Sequence, residues 1–67
     1  MLAKPIQDDL KERYGARINR IEPYTAINSD GETEQFYEVH MTDTEKFSFY
    51  LNVDEYGAVC GDMVYPE

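Results

Sequence analysis

Lys46-Phe47-Ser48-Phe49-Tyr50-Leu51-Asn52-Val53 is the stretch whose reading decides the fold. Its apolar residues return at every second position, with Phe47, Phe49, Leu51 and Val53 on one side and Ser48, Tyr50 and Asn52 on the other. A period of two marks a strand with one buried and one wet face. The preceding segment, Gln35 to Thr42, repeats the pattern: Tyr37, Val39 and Met41 point one way, and Phe36, Glu38 and His40 the other. Only the polar Thr42-Asp43-Thr44-Glu45 separates the two runs, so they pair antiparallel.

Outward from this pair the signals weaken. Arg17 to Asn28 is rich in β-formers (Ile18, Ile21, Tyr24, Thr25, Ile27) but irregular, and Pro23 predicts an edge strand or a bulge there. Asn28-Ser29-Asp30-Gly31 and Asp54-Glu55-Tyr56-Gly57 are turns, and Ala58 to Val64 reads as a short last strand. Before the strands, Ile6, Leu10 and Tyr14 recur at helical spacing between Pro5, which suits a first helical turn, and Gly15, which ends one. The spacing predicts a helix over residues 5–14, with Asp8 and Asp9 in its first turn and Lys11 and Arg13 near its end, in keeping with the helix dipole.

A helix with one apolar stripe and a sheet with one apolar face can each be covered only by the other. The expected fold is therefore α+β: one N-terminal helix packed on one face of a three- to four-stranded antiparallel β-meander, in α-β-β-β order, as one compact domain over residues 1–67. The inner face would hold Tyr37, Val39, Met41, Phe47, Phe49, Leu51 and Val53. The outer face would carry Glu34, Phe36, Glu38, His40, Ser48, Tyr50 and Asn52.

Composition bounds what such a domain does. With 67 residues the chain hides only ~60% of its unfolded surface, which leaves little interior for a catalytic pocket. Fourteen acids against six Lys and Arg give a net charge of -8, which argues against direct nucleic-acid binding. Residues 1–20 hold five Lys and Arg against three acids, a balance of +2, whereas residues 21–67 hold one Lys against eleven acids, a balance of -10. No apolar run matches a signal peptide or a membrane span, and a lone Cys60 forms no internal disulfide, so a soluble, cytoplasmic protein is expected. Cys60 reads as a small, half-buried hydrophobe.

The tests for chemistry come out negative. A structural zinc site needs about four Cys or His ligands, and the chain has one of each. Asp30, Glu32 and Glu34 alternate beside Gly31 but lack the spacing of a calcium-binding EF-hand. Cys60 and His40 are the only members of a possible nucleophile pair, and no third group orients them. The four glycines are isolated turn residues rather than a phosphate loop. The expectation is no enzyme, no cofactor and no metal.

What remains is the surface. Glu32, Glu34 and Glu38 are expected to share a strand face, Asp43 and Glu45 to lie at one end of the sheet, and Asp54, Glu55 and Asp62 at the other, with Phe36 and Tyr50 as apolar anchors among them. In size, charge and economy the chain resembles small phage-encoded counter-defence proteins: anti-CRISPR proteins, anti-restriction proteins and uracil-DNA glycosylase inhibitors. That resemblance implies a cytoplasmic inhibitor in the host cell whose carboxylates imitate phosphates and occupy the basic groove of a nucleic-acid-binding protein, most specifically a CRISPR effector complex. A second resemblance rests on Phe36-Tyr37-Glu38-Val39 and on Leu51-Asn52-Val53-Asp54-Glu55-Tyr56-Gly57-Ala58-Val59, which look like the strand and hairpin of PepSY-type small domains. It implies a regulatory module that holds a peptide or peptidase through its sheet. The chain would be a monomer or a weak homodimer in either case.

Overall fold

A computed structural model describes residues 1–65. Helix α1 (Lys4–Tyr14) is followed by strands β1 (Ala16–Ile27), β2 (Thr33–Asp43) and β3 (Ser48–Asp54). The strands form one antiparallel sheet in the order β1-β2-β3. The α+β meander read from the sequence is the observed architecture.

α1 begins at Lys4, with Pro5 in its first turn, and the Ala3 carbonyl accepts from the backbone N–H groups of Ile6 and Gln7 at 3.0 Å. The early start moves Asp8 and Asp9 out of the first turn, which holds no acid, so the expected dipole pairing at that end is absent. Both acids instead pair along the helix: Asp8 lies 3.5 Å from Lys4 and 3.2 Å from Lys11, and Asp9 receives Arg13. A hydrogen bond from Lys11 is the main reason that the Asp8 carboxyl is held below its ordinary range. Gly15, at φ 58°, ends the helix in the left-handed conformation and delivers the chain into β1 at the next residue.

The core lies between α1 and the inner sheet face. Leu10 is fully buried against Tyr37, Val39, Met41, Phe49, Leu51 and Val53, with Ile6 and Tyr14 half-buried on either side of it. Leu2 is also buried, although it precedes the periodic stripe. The Gln7 side-chain amide donates to the Leu2 carbonyl at 2.7 Å and holds that residue under the sheet.

β1 is an edge strand, as Pro23 required. Its irregular pattern has a simple cause: the pairing with β2 slips by one residue between Ile18 and Arg20, and Asn19 is the extra residue of a β-bulge. Ile18 faces Met41 and Ile21 faces Val39, so two isoleucines three positions apart reach the same core.

The three turns share one design. In each, a side-chain oxygen of the first residue accepts the backbone N–H of the third and the fifth: Asn28 from Asp30 and Glu32, Asp43 from Glu45 and Phe47, Asp54 from Tyr56 and Ala58, all at 2.9–3.0 Å. The fourth residue is left-handed each time, at φ 81° for Gly31, 67° for Lys46 and 87° for Gly57. Asx side chains are suited to this role because they accept two backbone donors without leaving the turn.

Three expectations are corrected. Phe47 closes the second turn instead of entering β3 and is 58% exposed, so it does not belong to the core. Residues 58–64 touch β3 through two isolated bridges, Val53 to Val59 and Tyr50 to Val64, rather than as a fourth strand. Gly61, at φ 83°, bends the chain between them. Cys60 is exposed rather than half-buried, because its neighbour Val59 takes the position against the core.

Lys46 is the one non-glycine with positive φ among the described residues. Lys46→Gly should raise the free energy of urea unfolding by ~0.5–1 kcal/mol, the left-handed strain removed being partly offset by a freer unfolded chain. Gly57→Ala should lower it by ~1–3 kcal/mol, because the added Cβ would stand 2.5 Å from Ile6 Cγ2. Identical denaturation midpoints for both variants and the parent would refute this account.

Candidate functional site on the outer face of the sheet

The register aligns the outer side chains in rungs across the three strands. Arg20, His40 and Tyr50 form one rung, Glu22, Glu38 and Asn52 the next, and Tyr24, Phe36 and Asp54 the third. Glu34 stands opposite Ala26 beyond them.

The middle of the face is tied together rather than bare. The Tyr24 and Phe36 rings stack at 5.7 Å, and the Tyr24 hydroxyl donates to Asn52 Oδ1 at 2.9 Å, reaching from β1 across β2 to β3. His40 packs on Tyr50 with ring centres 5.2 Å apart. His40 Nε2 lies 2.6 Å from Glu38 Oε1 and 3.9 Å from Glu22 Oε2, while Arg20 Nε donates to Glu22 Oε1 at 2.8 Å.

The two ends of the sheet differ in sign. At one end Glu34, Phe36, Asp54, Glu55 and Tyr56, with Cys60, line a cleft of about 560 Å³. At the other, a shallow depression of about 990 Å³ is bordered by Lys11, Arg17 and Lys46 together with Asp43. Four of the expected contact residues, Glu34, Phe36, Asp54 and Glu55, are thus brought together. Glu38 and Tyr50 lie mid-face, and Asp62 sits on the segment bridged to β3. Glu32 closes the first turn instead of sharing the strand face with Glu34 and Glu38. Asp43 and Glu45 belong to the cationic end, and one oxygen each of Asp43 and Asp54 is engaged by backbone N–H groups of its own turn.

The sequence does not mark Arg20, Glu22 and Tyr24 as members of this face. Their signal was hidden by the bulge, which shifts the alternation of β1 after Ile18. Pro23 was the only mark of an irregular strand.

No helix among the described residues is long and apolar enough to cross a membrane. No family model, curated protein or solved structure matches the chain.

Desolvation on the sheet, with added repulsion from Cys60 and Glu38, pushes the Tyr24 phenol above its ordinary value. A phenol whose folded-state pKa is raised contributes stability that is complete below the unfolded value of about 10 and is lost as pH rises through the folded one. Unfolding measured from about pH 9 to 11 should therefore show a loss of stability that Tyr24→Phe reduces; an unchanged slope would show that Tyr24 is not the group responsible.

Proposed function

We propose that this chain is a non-enzymatic inhibitor that offers the acidic end of its sheet to a basic groove of a nucleic-acid-binding protein, with carboxylates taking the places of phosphates. The observation that carries this reading is the convergence of Glu34, Asp54 and Glu55 around Phe36 and Tyr56 at the end opposite Lys11, Arg17 and Lys46. A molecule with opposite signs at its two ends turns in the field of a basic partner before contact, and this speeds productive encounter. The aromatic rings then supply the apolar anchors that a purely electrostatic contact lacks. The most specific form of the proposal is an anti-CRISPR protein acting in the host cytoplasm on a CRISPR effector complex. Glu38 and Tyr50 would extend the contact along the face.

A second reading, a peptide-holding module of PepSY type, draws on the outer edge of β1. Twelve residues long, β1 pairs among the described residues only with β2, whereas the far side of β3 is bridged by Val59 and Val64. An open edge of that length can accept an extended peptide as an added strand.

The readings separate on charge. Glu34→Lys with Glu55→Lys should slow capture of a basic target by about tenfold or more and weaken its salt dependence, and the same variant should fail to displace target DNA from a CRISPR effector in a gel-shift assay. Full inhibition by the charge-reversed protein would sink the mimicry proposal. Capture of peptide instead, insensitive to salt and to both reversals, would favour the β1 edge.

A further inference from the structure

The second rung of the outer face contains an arrangement that the proposed function does not use. Glu22 stands directly opposite Glu38, and like charges facing one another across strands oppose pairing. His40, two residues along β2 from Glu38, brings Nε2 to both carboxylates. Glu22 Oε2, Glu38 Oε1 and His40 Nε2 all lie within 4.8 Å of one another.

The surroundings orient these donors. Arg20 occupies Glu22 Oε1, which leaves Oε2 as the oxygen nearest the imidazole. Tyr50 packs against the His40 ring, whose side chain is only 17% exposed. A positioned imidazole and a carboxylate fixed through its second oxygen are what metal ligands generally need from their neighbours. Two carboxylates beside one guanidinium leave a local charge of -1, which still attracts a dication.

We propose that Glu22, Glu38 and His40 form a binding site for a late first-row divalent cation of the Zn²⁺ type. Ligand atoms about 2.1 Å from a tetrahedral zinc stand roughly 3.4 Å apart. The Glu38 to His40 separation of 2.6 Å and the Glu22 to His40 separation of 3.9 Å lie on either side of that value. Both lie within about 1 Å of it, a difference on the scale that the side-chain torsions of a glutamate can supply. One imidazole nitrogen with two carboxylate oxygens favours zinc over magnesium or calcium, which prefer six or more oxygens. Three protein donors leave a fourth position for water, facing solvent on the outer face. A metal binds the imidazole only through an unprotonated Nε2, so protons compete with it and affinity falls as pH is lowered. The site does not depend on the partner proposed above; it shares only Glu38 with that surface.

The single histidine makes the test direct, because every imidazole signal belongs to His40. Tag-free protein carrying Cys60→Ser, which removes the exposed thiol as a rival ligand, is titrated with zinc chloride. The titration is followed by calorimetry and by long-range proton–nitrogen correlation of the imidazole. The expected result is one zinc per chain, a large movement of the Nε2 resonance, and no movement with magnesium chloride at the same concentrations. Glu22→Gln should weaken zinc at least about tenfold, since even residues that only orient a ligand cost that much. Glu22 is 53% exposed on the edge strand, and the substitution removes one of two facing charges, so the fold is not at risk. An imidazole that ignores zinc would overturn the proposal, as would zinc binding that Glu22→Gln leaves unchanged. In that event the three residues are a polar cluster held by the His40–Glu38 hydrogen bond only.

Discussion

The extra residue at Asn19 governs both faces of the sheet. Before the bulge Ile18 sits over Met41; after it Ile21 sits over Val39, and the whole remainder of β1 is phased by that shift. Without the added residue, Ile18 and Ile21 could not both face the core, because an odd separation in a regular strand sends side chains to opposite sides. The same shift brings Arg20, Glu22 and Tyr24 onto the outer face opposite His40, Glu38 and Phe36. Asn19 itself is secured, since its side-chain amide donates to Thr42 Oγ1 at 2.7 Å. Core packing on one side and the charged and aromatic rungs on the other thus depend on one local irregularity.

What could be read from the chain follows the regularity of each segment. β2 and β3 alternate cleanly, and their faces were legible down to the individual residue, from Tyr37 to Met41 and from Phe49 to Val53. Phe47 keeps the alternation but belongs to a turn, because the Asp43 side chain claims its N–H group, and period alone does not register such a bond. Leu2 escaped notice because its burial depends on a hydrogen bond from Gln7 rather than on helical spacing. The last segment has the composition of a strand, yet Gly61 interrupts it after Val59. The acidic cleft was partly legible, since Phe36 and Asp54 follow from the β2–β3 register. The Glu22, Glu38 and His40 group was not, because it depends on a register displaced by a bulge at Asn19, and Pro23 marks β1 as irregular without placing the shift.

Asp43 and Asp54 illustrate how charge in a small protein serves two purposes. Each contributes to the net -8 and to the field at one end of the sheet, and each also closes a turn with one carboxylate oxygen. Counting acids therefore overstates the charge free to meet a partner. Glu34 and Glu55 are exposed, take part in none of these turn bonds, and lie beside aromatic rings. With a core of eight buried hydrophobic side chains among the described residues, the interior serves mainly to hold these surface groups in place.

The two margins of the sheet are unequal. Along β3 the chain folds back on itself through Val59 and Val64, whereas among the described residues no strand pairs with the outer edge of β1. A sheet with two open margins can add copies without limit, which is the geometry of a fibre. A sheet with one guarded margin can join a second copy only edge to edge across a two-fold axis, which uses up the open margin of each. Pairing of copies through their β1 margins would close at two chains, because the turn of the C-terminal segment onto β3 occupies the other margin.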